Sequence, residues 1–245
     1  SSGDAWTATS KGVGQLERKP ITLSEKAKFF EDEIDKYHRR TPYGYVEGVS
    51  VAKPGIKEGI QQHDSDNDGL WTSMYGAGEC FAYAATKDPL AKKRATDAFN
   101  AICFLSEVPQ GGKESPPYGF PARTILPVSG RNPNDHDNPD HDRSRQKEDP
   151  QWKVISPRWP VSADGQWYWK TDTSSDELDG HYFFYARYFD LVADADEKER
   201  VREVVRDLTD HLVSHDFCLV DHDGTPTRWG VFGPKYLNHD PRWWA

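Results

Sequence analysis

The chain has 245 residues, 36% of them hydrophobic and 13% aromatic, enough apolar material for one large core or two small ones. Forty Asp and Glu stand against 31 Lys and Arg, a net charge of -9, and the basic residues alternate with acidic ones in runs such as DEKERVREVVRD. A nucleic-acid partner is therefore not expected. No apolar run reaches the length of a membrane-spanning helix, so membrane insertion is not expected either. Cys80, Cys103 and Cys218 have no CxxC spacing, and Cys80 and Cys103 read as buried thiols.

Residues 4 to 16, DAWTATSKGVGQL, read as two short strands around a Gly turn, with Trp6, Ala8 and Val13 as apolar pegs. Two strands cannot bury a face alone. The stretch resembles the end of a sensor-type β-propeller repeat, W-x-A-T-x-x-G-[VL], and the resemblance implies that residues 1–19 are a propeller remnant or linker and that the chain is a piece of something longer. Thr22 and Glu25 then fit a capping box for a helix through Ala27, Phe30, Ile34 and Tyr37, stopped by Pro42.

The stretch HDSDNDGLWTSMYG, 63 to 76, places alternate carboxylates before an apolar helix. Asp64, Asp66 and Asp68 followed by Gly69 match the first half of a calcium loop, with the Leu70 carbonyl as the next ligand. The twelfth position is Tyr75 where a bidentate Glu is expected, so the site needs a remote ligand. The plainer reading is an acidic helix start. A third places His63 and the three Asp residues in an active centre.

Leu70, Met74, Ala77, Phe81 and Ala84 predict a helix to Thr86, with Gly76 and Gly78 allowing close approach. Asp88 and Pro89 start its partner, striped by Leu90, Ala91, Ala95, Ala98, Ile102 and Leu105. From 108 to 168 no period appears, and the segment reads as a long polar loop, a lid or a rim, carrying FPART at 120–124. Ser174 and Glu177 fit a second capping box for a helix through Leu178, Tyr182, Tyr185, Phe189 and Val192, and Asp194 caps the next, through Val201, Val204, Val205, Leu208, Leu212 and Val213. FCLVDHDGTPTRWGVF, 217–232, is a hairpin signal around Asp223 and Gly224.

The whole is mainly α: helical hairpins with short β-hairpins. Residues 20–245, through DNDGLWTSMY, FAYAATKDPLAKKRATDAF and DTSSDELDGHYF, resemble part of an α/α toroid (α/α barrel), an incomplete ring. That resemblance implies a carbohydrate-active protein, a polysaccharide lyase or glycoside hydrolase, secreted or periplasmic, whose polar loops share one cleft. Fold analogy does not establish activity. Asp176, Glu177, His181 and Tyr182 are the candidate acid and base groups, against capping and helix-dipole roles for Glu177 and Asp176 and a satisfied core position for His181. Arg123 and Arg228 suit a uronate carboxylate or sulfate, Trp229 offers a sugar-stacking face, and His63 completes the binding set. Nine Trp residues support a glycan partner if about half line a surface instead of the core. No phosphate loop, H-E-x-x-H or G-x-S-x-G occurs. The alternative is a non-catalytic glycan-binding or structural module of a larger extracellular assembly.

Overall fold

A computed structural model describes residues 5–239. The chain divides into two compact units after Tyr37, so the first helix groups with the N-terminal hairpin and not with the helical body. In the first unit β1 (Ala5–Thr9) pairs antiparallel with β2 (Gly12–Leu16). Ala8 faces Val13 across the ladder, putting Trp6, Ala8 and Val13 on one face, and every residue of the hairpin is exposed. Helix α1 (Leu23–Glu33) starts at the expected box: Glu25 N–H donates to the Thr22 hydroxyl at 3.2 Å, and Thr22 N–H donates to the Glu25 carboxylate at 2.9 Å. A π turn, Ile34–His38, follows it.

The second unit begins with small hairpins, β3 (Arg39–Arg40) with β4 (Tyr45–Val46) and β5 (Val49–Ser50) with β6 (Gln61–Gln62). Two helical hairpins follow. Helices α2 (Asp68–Thr86) and α3 (Pro89–Glu107) form the first, and α3 opens as expected, its Leu90 N–H donating to the Asp88 carboxylate at 2.9 Å with Pro89 at the first position. The connection from 108 to 174 contains β7 (Ile125–Pro127), a 3-10 turn at Pro133–His136, α4 (Pro139–Glu148) and β8 (Trp167–Trp169). Helices α5 (Ser175–Leu191) and α6 (Ala195–Ser214) form the second hairpin, followed by β9 (Cys218–Val220), β10 (Pro226–Val231) and α7 (Pro234–His239). The expected hairpin at 217–232 is present, with a register shift inside β10.

The core joins α2, α3 and α5. Phe99 of α3 stacks on Tyr188 of α5 at 4.4 Å, and Phe184, Tyr185, Ile102, Leu105 and Leu178 surround them. Burying each large side chain contributes about 1.5–3 kcal/mol. Glycines let α2 and α5 touch: a Cβ on Gly76 would lie 2.5 Å from Phe184, and one on Gly180 would lie 2.9 Å from the Leu70 Cα. Gly78, expected to share that role, faces open space.

Two expectations are corrected. The buried face of α2 is Asp68, Gly69, Thr72, Ser73, Gly76, Ala77, Glu79 and Cys80, whereas Met74 and Phe81 are exposed. Small residues set that face because the close α2–α5 approach leaves no room for large ones. The 108–168 segment is not an irregular polar loop. Its Phe120, Ala122, Ile125 and Trp159 are buried, β7 pairs with β8 from Ile125 opposite Trp169, and α4 is capped by the Asn138 side chain. Single apolar residues at uneven spacing anchor it, which no periodicity could signal.

Candidate functional site

The loops entering α2 and α5 meet beside the FPART stretch and β10. Arg123 joins them: Nε donates to the Asp66 carbonyl at 2.9 Å, Nη2 to Asn67 Oδ1 at 3.2 Å and Nη1 to the Asp172 carbonyl at 3.3 Å. Asp66 and Asp172 both hold left-handed backbone, φ 66° and 60°, which turns these carbonyls toward the guanidinium. The Asp66 carboxylate pairs with Lys170, whose ammonium lies 5.1 Å from the Trp159 ring.

Asp172 is the hub of the neighbouring network. Its carboxylate accepts Arg228 N–H at 2.8 Å and faces Arg158 at 3.7 Å, while its own N–H donates to buried Asp221 at 2.8 Å. Burial pushes both carboxyls above their usual range, against the pull of these donors. The Arg228 side chain leaves the hub and donates to Asp149 at 2.6 and 3.0 Å, lying 4.5 Å from the Trp152 ring and 4.1 Å from the Trp229 ring. Arg145 lies 5.1 Å from Trp152, so two guanidinium and two indole planes form one cluster. Trp229 is 51% exposed.

Glu177 and His181 lie together under Gly69, at the first turn of α2. A Cβ there would stand 2.7 Å from His181 Cε1 and 3.1 Å from Glu177 Cγ. Both residues are fully buried. The second capping box is corrected: Ser174 precedes the helix, but its hydroxyl donates to Glu177 Oε2 at 2.6 Å instead of accepting a backbone N–H. Glu177 Oε1 has no hydrogen-bond partner, and burial, opposed by Ser174 and Arg123, raises its carboxyl to about 7. His181 Nδ1 donates to the Glu177 carbonyl at 2.6 Å, Nε2 is unpartnered, and burial lowers the imidazole to about 4. Asp176 is exposed beside them.

The remaining expected site residues separate. Tyr182 turns toward α6, its hydroxyl 2.9 Å from Thr209, and so does not share a cleft with His181. His63 Nε2 lies 2.7 Å from the Ser50 hydroxyl, joining the loop to β5. Leu70 sits inside the first turn of α2. Among the described residues no group of three or more His, Cys, Asp or Glu is placed to hold a metal ion. Asp64 is partly buried, Asp66 answers Lys170, and Asp68 answers Arg40. Of the aromatic set, Trp159 and Trp169 are core, and Trp243 and Trp244 lie outside the described residues.

Sequence reasoning missed a buried cluster. Asp68 takes a salt bridge from Arg40 and a hydrogen bond from Thr124 at 2.6 Å, and Arg40 also donates to the Ile125 carbonyl at 2.6 Å. Glu47, which accepts from Ser65, faces Asp68, and burial followed by that second carboxyl raises it to about 8. Burial beside a second carboxyl thus favours the neutral acid of Glu47 at pH 7. Its folded pKa lies above the ordinary 4.5, so its contribution to stability is complete below that value and is lost as pH rises through about 8. Glu47→Gln preserves the donor and removes the titration. Between pH 6 and pH 9 the parent's melting temperature is expected to fall about 5 °C further than the variant's. Parallel curves would show that Glu47 is ionised in the folded protein.

Comparison with family models, curated proteins and solved structures finds no match to this chain. Among the described residues no helix is long and apolar enough to cross a membrane.

Proposed function

We propose that the chain is part of a carbohydrate-active protein of the α/α-toroid type, placed outside the cytoplasm, and that the face formed by the α2 and α5 entry loops receives an acidic glycan. Arg123 carries this reading. Its guanidinium spends its hydrogen bonds on two carbonyls and an amide oxygen, and among the described residues it makes no ion pair. A positive charge held by neutral acceptors attracts a uronate carboxylate or a sulfate. The half-exposed Trp229, ordered by Arg228, supplies a flat surface for a sugar ring. A calcium ion at Asp64, Asp66 and Asp68 stays part of the proposal, in competition with Lys170 at Asp66 and Arg40 at Asp68.

The function is binding in the first instance, since Glu177 and His181 are closed to solvent. A catalytic reading is favoured by one observation. Glu177 has a free oxygen and holds its proton near neutrality by burial, against the charge of Arg123, as a general acid requires.

Calorimetry with polygalacturonate and with neutral dextran tests the proposal. Polygalacturonate is expected to bind, dextran not, and Arg123→Ala or Trp229→Ala to weaken binding roughly tenfold. Equal binding of both polymers, or of neither, would overturn it. New reducing ends or unsaturated products that persist in Glu177→Gln would remove the catalytic reading alone.

A further inference from the structure

One face of α2 is apolar and open to water. Trp71, Met74 and Phe81 are 49%, 50% and 48% exposed, and Gly78 and Ala85 on the same face are exposed too. Their spacing alternates between three and four residues, the pattern of a helix–helix seam. From Leu70 to Thr86 the only charged residue is Glu79, and it is buried. In a chain with 29% charged residues, a long helix that shows solvent no charge reads as a contact face.

The seam is its own complement. Gly76 points into α5, where a Cβ would lie 2.5 Å from Phe184, so the outward line of α2 runs opposite Gly76 and is centred at its level. At about 100° per residue, positions equally far before and after Gly76 fall symmetrically about that line. A second α2 laid antiparallel across a two-fold axis at this level therefore meets the first position for position. Met74 of each copy enters the gap over the other copy's Gly78, and Trp71 of each meets the other's Phe81. That gap is open, since a Cβ on Gly78 finds no atom within 4 Å. The charges agree as well. Asp64 precedes α2 and the exposed Lys87 caps its far end, so antiparallel pairing brings the lysine of one copy to the acidic end of the other.

We propose that this face of α2 is the interface of a weak symmetric homodimer, with Met74 of each copy seated on Gly78 of the other. The pairing is independent of the glycan reading.

Sedimentation equilibrium of the full chain tests it, with EDTA present so that calcium does not compete for Asp64. Monomer and dimer alone are expected, with a dissociation constant of roughly 10–100 µM for so small a contact. Gly78→Leu separates this seam from a merely sticky surface. In the monomer the new side chain enters open space and favours the helix, so the melting temperature of a dilute sample should not fall. The dimer, whose socket it fills, should weaken at least about tenfold. Phe81→Lys, a change on the exposed side, should abolish the dimer, and Lys87→Glu should weaken it about threefold at low salt. A parent that stays monomeric, aggregates without a defined dimer, or a dimer that Gly78→Leu leaves alone or tightens would each overturn the proposal, as would a dimer indifferent to Phe81→Lys.

Discussion

Asp68→Ala is expected to lower the stability of the protein by about 3–5 kcal/mol, because it strands the Arg40 guanidinium in a buried site. Arg40 would keep only Thr124 and the Ile125 carbonyl, both neutral. The loss spreads further, since this residue ties β3 to the start of α2 and, through Thr124, to the FPART stretch. The same substitution should bring the Glu47 carboxyl back down, for it would then face Arg40 without a competing carboxylate. Urea denaturation followed by tryptophan fluorescence measures the first effect. An unchanged midpoint and slope would mean that the ion pair contributes nothing.

Gly119→Ala is the second large effect, about 2–5 kcal/mol of destabilisation. Gly119 has φ 89°, and a Cβ there would fall on the backbone carbonyl of Asp207 in α6. Nothing on either side is a flexible tip that could move aside. The adjoining bond, in which His211 Nδ1 donates to the Tyr118 carbonyl at 3.0 Å, would open with it. Gly165→Ala is the control: its φ is 71°, but no atom lies within 4 Å of the added carbon, so only backbone strain of about 1 kcal/mol remains. Thermal melts of the two variants should differ several-fold in their loss, and equal losses would place the whole cost in φ.

Helix starts were legible because their chemistry is local. The Thr22 box, the Asp194 cap and the Asp88–Pro89 start are each written in a few adjacent residues, and each forms, Asp194 in a box with Glu197 that the sequence reading did not name. The hairpin around Asp223–Gly224 was legible for the same reason. The buried face of α2 was not. Hydrophobic spacing favoured Met74 and Phe81, whereas the helix turns Gly69, Ser73 and Gly76 inward against α5, a choice made by a partner a hundred residues away. At the site, Arg123 donates to the Asp66 and Asp172 carbonyls and Arg228 N–H to the Asp172 carboxylate, a hub that the sequence did not single out. Glu177 was the least legible: its position in a capping pattern disguised a buried, proton-holding carboxyl. Arg40 and Glu47 sit in turn-rich sequence with no motif, and only tertiary contact brings them to Asp68.

The ties of the 108–174 connection also set an order of assembly. Arg228 reaches back to Asp149, Lys153 donates forward to Asp223 at 2.8 Å, and Arg123 donates to Asp66 and Asn67. Each closes a span of more than fifty residues, so its entropy of closure must be met before any enthalpy returns. Two helical hairpins can condense early from near neighbours, and the connection between them then sets last, like mortar between bricks already laid. Its amides should accordingly be the first of the folded body to exchange with deuterium, and Arg123, which it carries, is expected to settle only once the rest has folded.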